Sequence, residues 1–128
     1  MKQISMTVFD QEHCRREWFF DFDGEIFHDF CTTLTREMKK LGITLTLLRN
    51  RDAVIKINSY ADLLNVVKIS SPDDGHSNQC IGHIIGKSEH LDIMEDIRTA
   101  VRRVAFAPET VAPSSEFRKV CHNCGCGC

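Results

Sequence analysis

No stretch of the 128-residue chain approaches the ~20 consecutive apolar residues with which a helix crosses a bilayer, so no transmembrane segment is expected. The opening MKQISMTVFDQEHCRREWFF has no apolar block ahead of a small-residue cleavage site. Without a secretory signal, the expected location is cytoplasmic. Nor is there a long basic run: 16 Lys and Arg stand against 18 Asp and Glu, a net charge of −2. Bulk positive charge, the usual basis for holding nucleic acid or an anionic membrane, is missing. No internal repeat is present. The composition, 42% hydrophobic and 27% charged, argues for one folded core and against disorder. A chain of this length buries roughly two-thirds of its unfolded surface, so the core needs no disulfide staples. The seven cysteines are odd in number, and cytosolic thiols stay reduced. Metal binding or thiol chemistry is therefore a better reading than a disulfide framework.

QISMTVF alternates Ile4, Met6 and Val8 with polar residues, which predicts a half-buried strand. EWFFDFD sets Trp18, Phe20 and Phe22 against Phe19 and Asp21. It predicts a second strand antiparallel to the first, with Asp23-Gly24 as a tight turn. Phe27, Phe30, Cys31, Leu34, Met38 and Leu41 recur at helical spacing up to Gly42, a suitable C-terminal cap. ITLTLLRN and AVIKIN predict two strands joined by RNRD. Ser59 to Asp62 fits a capping box ahead of a short helix through Tyr60, Leu63, Leu64 and Val67. SSPDDGHSNQ reads as a loop and CIGHIIG as a short strand. Ile93, Ile97, Val101 and Val104 form the stripe of a final helix capped by Ser88 or Asp92, with Arg98, Arg102 and Arg103 toward its C-terminus. The expectation is an α+β domain over residues 1–106, a mostly antiparallel sheet of about five strands with helices packed on one face. APETVAPSSEFRKV predicts a linker over 107–120, and residues 121–128 a flexible Cys-rich C-terminal tail.

That tail reads CHNCGCGC: four of the seven cysteines within eight residues, spaced C-x2-C-x-C-x-C. A thiolate is both a nucleophile and a soft metal ligand. Gly125 and Gly127 carry no Cβ, so the backbone can turn sharply enough for Cys121, Cys124, Cys126 and Cys128 to converge. Arg118 and Lys119, just upstream, favour the ionised thiols. A structural zinc site takes two ligand pairs across a longer loop. Cys-Gly-Cys steps make a cramped chelate for one tetrahedral ion and suit two- or three-coordinate Cu(I) or a small bridged cluster. Cu(I) therefore ranks first, zinc second and an iron–sulfur cluster third. His122 is a candidate nitrogen ligand. The expected role is to capture or hand over a thiophilic ion, as a metal chaperone, storage or sensing protein does. Its partners would be the ion and a metal-accepting protein.

VCHNCGC resembles the metal-binding loop of nitrile hydratase alpha subunits, in which V-C-x-x-C-x-C supplies three sulfurs and two backbone amides to low-spin iron or cobalt. Gly125 stands where that family has serine, and the likeness implies a shared chelate geometry rather than nitrile hydration. A folded leader, a linker and a Cys-rich end are similar to the layout of ribosomal peptide precursors. That layout implies a docking domain and a tail altered by a peptide-modifying enzyme. Cys126-Gly127-Cys128 resembles the terminal C-x-C prenylation site of Rab-type GTPases, which implies a lipid-anchored interaction protein. The phosphate-binding GxxxxGKS or GxxxxGKT loop of a GTPase is absent from the chain.

Within the domain, FFDFDGEIF resembles the first motif of haloacid-dehalogenase-type phosphotransferases. The resemblance implies a nucleophilic Asp21 and an acid/base Asp23, with Asp73-Asp74 as a magnesium-binding pair. Glu25 departs from the Thr or Val of that motif, and Arg49 stands in place of its phosphate-binding Ser or Thr. The plainer reading is a Phe-rich strand ending in an Asp-Gly turn, and no catalytic residue is assigned. His13 and Cys14 would form a thiolate–imidazole pair only in a turn, since neighbours in a strand point oppositely. Cys31 falls on the apolar helix face, and Cys80 and His83 fall on opposite faces of their strand. His76 and His90 stand apart from these; any of them is a candidate to complete a site with the tail.

Overall fold

In the computed structural model, which describes residues 2–86, 88 and 91–111, the first strand runs as its alternation predicts. β1 (Lys2–His13) buries Ile4, Met6 and Val8 and leaves Ser5, Thr7 and Phe9 half-buried. α1 (Glu25–Lys40) buries Phe27, Cys31, Leu34 and Met38, at intervals that keep them on one face. Gly42, at φ +82°, turns the chain out of the helix in a conformation that a side chain would strain. β2 (Ile43–Ile57), α2 (Tyr60–Val66), β3 (Val67–Ser71), β4 (His76–Cys80), α3 (Ile81–Ile85) and α4 (Ile93–Phe106) follow. Burial of each large side chain in the resulting core contributes roughly 1.5–3 kcal/mol.

The four strands form one mixed sheet in the order β2-β1-β3-β4. β1 runs parallel to β2 and antiparallel to β3, and β3 is antiparallel to β4. The α+β class is as expected; among the described residues the sheet has four strands rather than about five and is mixed, with two of its three pairings antiparallel. Parallel pairing follows from the connection between β1 and β2: it carries α1 across the sheet, and a crossover of that length returns the chain in the same direction. The side chains of Ile4, Met6, Val8, Ile43 and Leu45 meet the helices on one face, while Thr44 and Thr46 are exposed on the other.

Four expected elements differ. Arg16–Trp18 is a single 3-10 turn, and 19–24 is an unpaired connection rather than a second strand. β2 takes one edge of β1 along its length and β3 the other over Ser5–Val8, and 19–24 pairs with neither. Its alternation survives in packing: Phe22 is buried and Phe20 half-buried, whereas Phe19 is 62% exposed. The two strands expected over 43–58 are one, interrupted by a bulge; Phe9 pairs with Asn50 and Asp10 with Val54, so Arg51, Asp52 and Ala53 are looped out. Asn50 Oδ1 accepts from Asp52 N at 2.9 Å and closes that bulge. The expected loop over 70–79 holds the end of β3, a 3-10 turn at Pro72–Asp74, Gly75 at φ +76°, and β4. CIGHIIG is the end of β4 followed by helix α3, with Ile81 and Ile84 buried.

The final helix is as predicted. Asp92 caps it by accepting from Met94 N and Glu95 N, and Ile93, Ile97, Val101 and Val104 are buried. At α2, Ser59 makes no side-chain cap; Asp62 instead accepts from Asn58 N at 2.9 Å. Beyond α4, Pro108–Thr110 forms a 3-10 turn and Val111 joins the core. Residues 112–128, and with them the tail cysteines Cys121, Cys124, Cys126 and Cys128 and His122, lie outside the described residues. No helix among the described residues is long and apolar enough to cross a membrane.

Candidate functional site

The described domain fixes the root of the tail. Arg103 on α4 donates from Nε to Thr110 Oγ1 at 2.9 Å and from Nη1 to Ile84 O at 3.0 Å, tying the last turn to α3. A cavity of about 410 Å³ opens beside this turn, lined by Asp74, His76, Pro108, Glu109 and Val111. His76 comes from the start of β4, where Gly75 turns the chain, and is 4% exposed. Its Nε2 lies 3.0 Å from Pro108 O, and its Nδ1 is buried with no hydrogen-bond partner among the described residues. Asp74 pairs with Lys2 Nζ at 2.6 Å and accepts from Ser71 Oγ at 2.6 Å. Burial by itself would raise the Asp74 carboxyl. The hydrogen bonds from Lys2 and Ser71, with the charges of Lys2 and His76, outweigh it and hold the group below the usual carboxylate value.

A second concavity, of about 220 Å³, lies where β1 and β2 meet the start of α1. Phe22, Asp23, Gly24, His28, Cys31 and Arg49 are among the residues lining it. Asp21 Oδ1 accepts from Asp23 N at 2.9 Å, which makes this segment a turn stabilised by its own side chain. Asp23 pairs with Arg49 at 2.9 Å, and Arg49 Nη2 also donates to Phe22 O at 2.6 Å. A Cβ on Gly24 would lie 2.7 Å from Asp21 Oδ2, so a larger residue there would push the Asp21 carboxylate aside. Both aspartates thus have structural work, and neither follows a strand as the phosphotransferase resemblance implies. Asp73 and Asp74 do not join them. Asp73 accepts from Gln3 N and Asp74 pairs with Lys2, at the start of β1, whereas Val8, which lines the Asp23 cleft, is midway along it. Six residues of strand separate the two groups by roughly 20 Å.

His13 and Cys14 do not act as a pair. His13 packs on Phe19 with ring centroids 4.8 Å apart, and its Nε2 accepts from Phe20 N at 3.5 Å. Cys14 is exposed and its thiol turns to Glu12 O at 3.7 Å. Cys31 is buried, and burial pushes its thiol up to about 11, with the charge of Arg49 opposing. Cys80 is also buried. Among the described residues, no three His, Cys, Asp or Glu side chains are grouped to hold a metal ion. No known family, curated protein or solved structure matches the chain.

Sequence reasoning named His76 but gave it no setting. The DDGH stretch signals a turn, but nothing in it reveals that Pro108 meets the imidazole. A buried network at the other end of α4 was missed altogether: Asp96 accepts from the Tyr60 hydroxyl and from Ser88 Oγ. Only the position of Asp96 within an otherwise apolar helix stripe hints at it.

Proposed function

We propose that the protein binds a thiophilic metal ion through Cys121, Cys124, Cys126 and Cys128, and serves as a metal chaperone, store or sensor. The observation that carries this reading is the crowding of four cysteines into eight residues. The distribution of the other thiols supports it. Cys31 and Cys80 are buried, Cys31 resists ionisation, and Cys14 stands alone at the surface, so the domain offers no competing cluster among its described residues. Soft thiolates select Cu(I) or Zn(II). Ligand thiols must lose their protons on binding, so affinity falls as pH drops.

Titration of Cu(I) and Zn(II) against a competing chelator, with the full chain and with residues 121–128 deleted, tests the reading. Tight binding should disappear with the deletion; undiminished stoichiometry would refute it. The intact mass of protein from its native host separates the rival precursor reading, which requires altered or missing C-terminal residues.

A further inference from the structure

We infer that the domain holds a small organic cation, a quaternary ammonium group, in an aromatic cavity between the Arg16–Trp18 turn and the start of α4. The site uses none of the tail cysteines. Its volume is about 330 Å³, and Trp18, Phe19, Phe20 and Tyr60 line it, although aromatic residues are only 8% of the chain. Ligand pockets run from about 300 to 1,000 Å³, so this one suits a small group. The face of an aromatic ring carries the negative part of its quadrupole and attracts a cation.

Charge on the wall has the matching sign. Glu17 and Asp92 line the cavity, and among the described residues no Lys, Arg or His does. The 220 Å³ cleft, by contrast, carries Arg49. Glu17 is exposed and enters no ion pair among the described residues. Asp92 is held by its capping bonds from Met94 N and Glu95 N. An anion would be repelled by these carboxylates, and a neutral apolar ligand would leave them without a counter-charge. Hard metal ions demand six or so oxygen ligands, more than two carboxylates among rings supply. A quaternary ammonium has no N–H to satisfy and needs only apolar contact and diffuse negative charge, which this wall provides.

The wall is also built ahead of its ligand. The Tyr60 ring is fixed by its hydroxyl, which donates to Asp96, and Trp18 lies 5.9 Å from it, tilted by 60° rather than stacked. Phe19 and Leu91 remain 62% and 55% exposed at the cavity, surface that an occupant would cover. Leu91 sits at φ +51°, a left-handed conformation that is unfavourable for a bulky side chain, and its N donates to Ser88 Oγ at 3.0 Å. Backbone strain of this kind collects at ligand-binding positions.

The test titrates the full chain with choline and follows the emission of Trp18, its single tryptophan. Choline should change that emission saturably. Its uncharged carbon isostere, 3,3-dimethylbutan-1-ol, should bind roughly tenfold more weakly. Phe19→Leu keeps apolar bulk at an exposed position and removes a ring, so choline should bind about threefold to tenfold more weakly with the melting temperature unchanged. No saturable change up to about 10 mM choline overturns the proposal. Equal binding of the isostere, or choline affinity untouched by Phe19→Leu, does the same.

Discussion

Tyr60 is the chain's single tyrosine and Trp18, its single tryptophan, packs beside it with ring centroids 5.9 Å apart. The Tyr60 hydroxyl donates to Asp96 Oδ2, which also accepts from Ser88 Oγ at 2.6 Å; Tyr60 and Asp96 are each 7% exposed. Tyr60→Phe keeps the ring packing and removes one of the two side-chain donors to a buried carboxylate. A hydrogen bond to a charged group contributes ~1.5–3 kcal/mol, so the substitution should cost about 2 kcal/mol at neutral pH. For a domain of this size the melting temperature should fall on the order of 10 °C. Urea unfolding followed by Trp18 fluorescence measures the loss.

The same network predicts an alkaline limit. Burial first, and then the hydrogen bond to Asp96, push the Tyr60 hydroxyl well above its usual value of about 10. The folded state therefore keeps a proton that the unfolded chain releases. Stability from this source is complete below about pH 10 and declines as pH rises through the folded value. Phenolate absorbance should appear together with loss of structure, and Tyr60→Phe should flatten the alkaline decline. A loss under about 0.5 kcal/mol, or phenolate titrating near its usual value in protein that stays folded, would refute the reasoning.

Asp74 should act with the opposite sign. Its lowered value means that its contribution is present above the unfolded carboxylate value and fades as pH falls through the folded one. Because the Lys2 and Asp74 side chains are 20% and 23% exposed, Asp74→Asn should cost no more than about 1 kcal/mol at pH 7. The cost should vanish in strong acid; equal losses by urea unfolding at both pH values would contradict this. Thiol reactivity should separate the domain cysteines. With metal removed, iodoacetamide and peptide mass mapping should find exposed Cys14 modified early and Cys31 protected until urea unfolds the chain. Equal rates would show that Cys31 is open to solvent.

Elements with a long, one-sided pattern were legible. α1 and α4 carry apolar stripes over several turns, and Asp92 and Gly42 mark ends with specific chemistry. Short segments were not, because alternation reports which side chains face inward and not which backbone groups pair. Residues 17–23 show this: Phe20 and Phe22 pack inward from a segment with no ladder partner. In CIGHIIG, seven residues are too few to separate a period of two from one of 3.6. β4 was hidden for the reverse reason, since His76-Ser77-Asn78-Gln79 has loop composition and holds its place by pairing with β3. The chemistry proposed for the tail rests on residue type and spacing alone. His76 acquires its neighbours only through contacts between residues 76 and 108, a separation local patterns do not register.

β1 lies between β2 and β3, yet it precedes both in sequence. A nascent chain that has emitted β1 must wait for Ser70 before β3 covers the second edge of Ser5–Val8. Until then a ribbon containing Ile4, Met6 and Val8 has bare amide and carbonyl rows, a template that foreign strands can adopt. Slow translation or truncation between residues 57 and 67 would leave one such row open over Ser5–Val8, where the finished molecule lays β3.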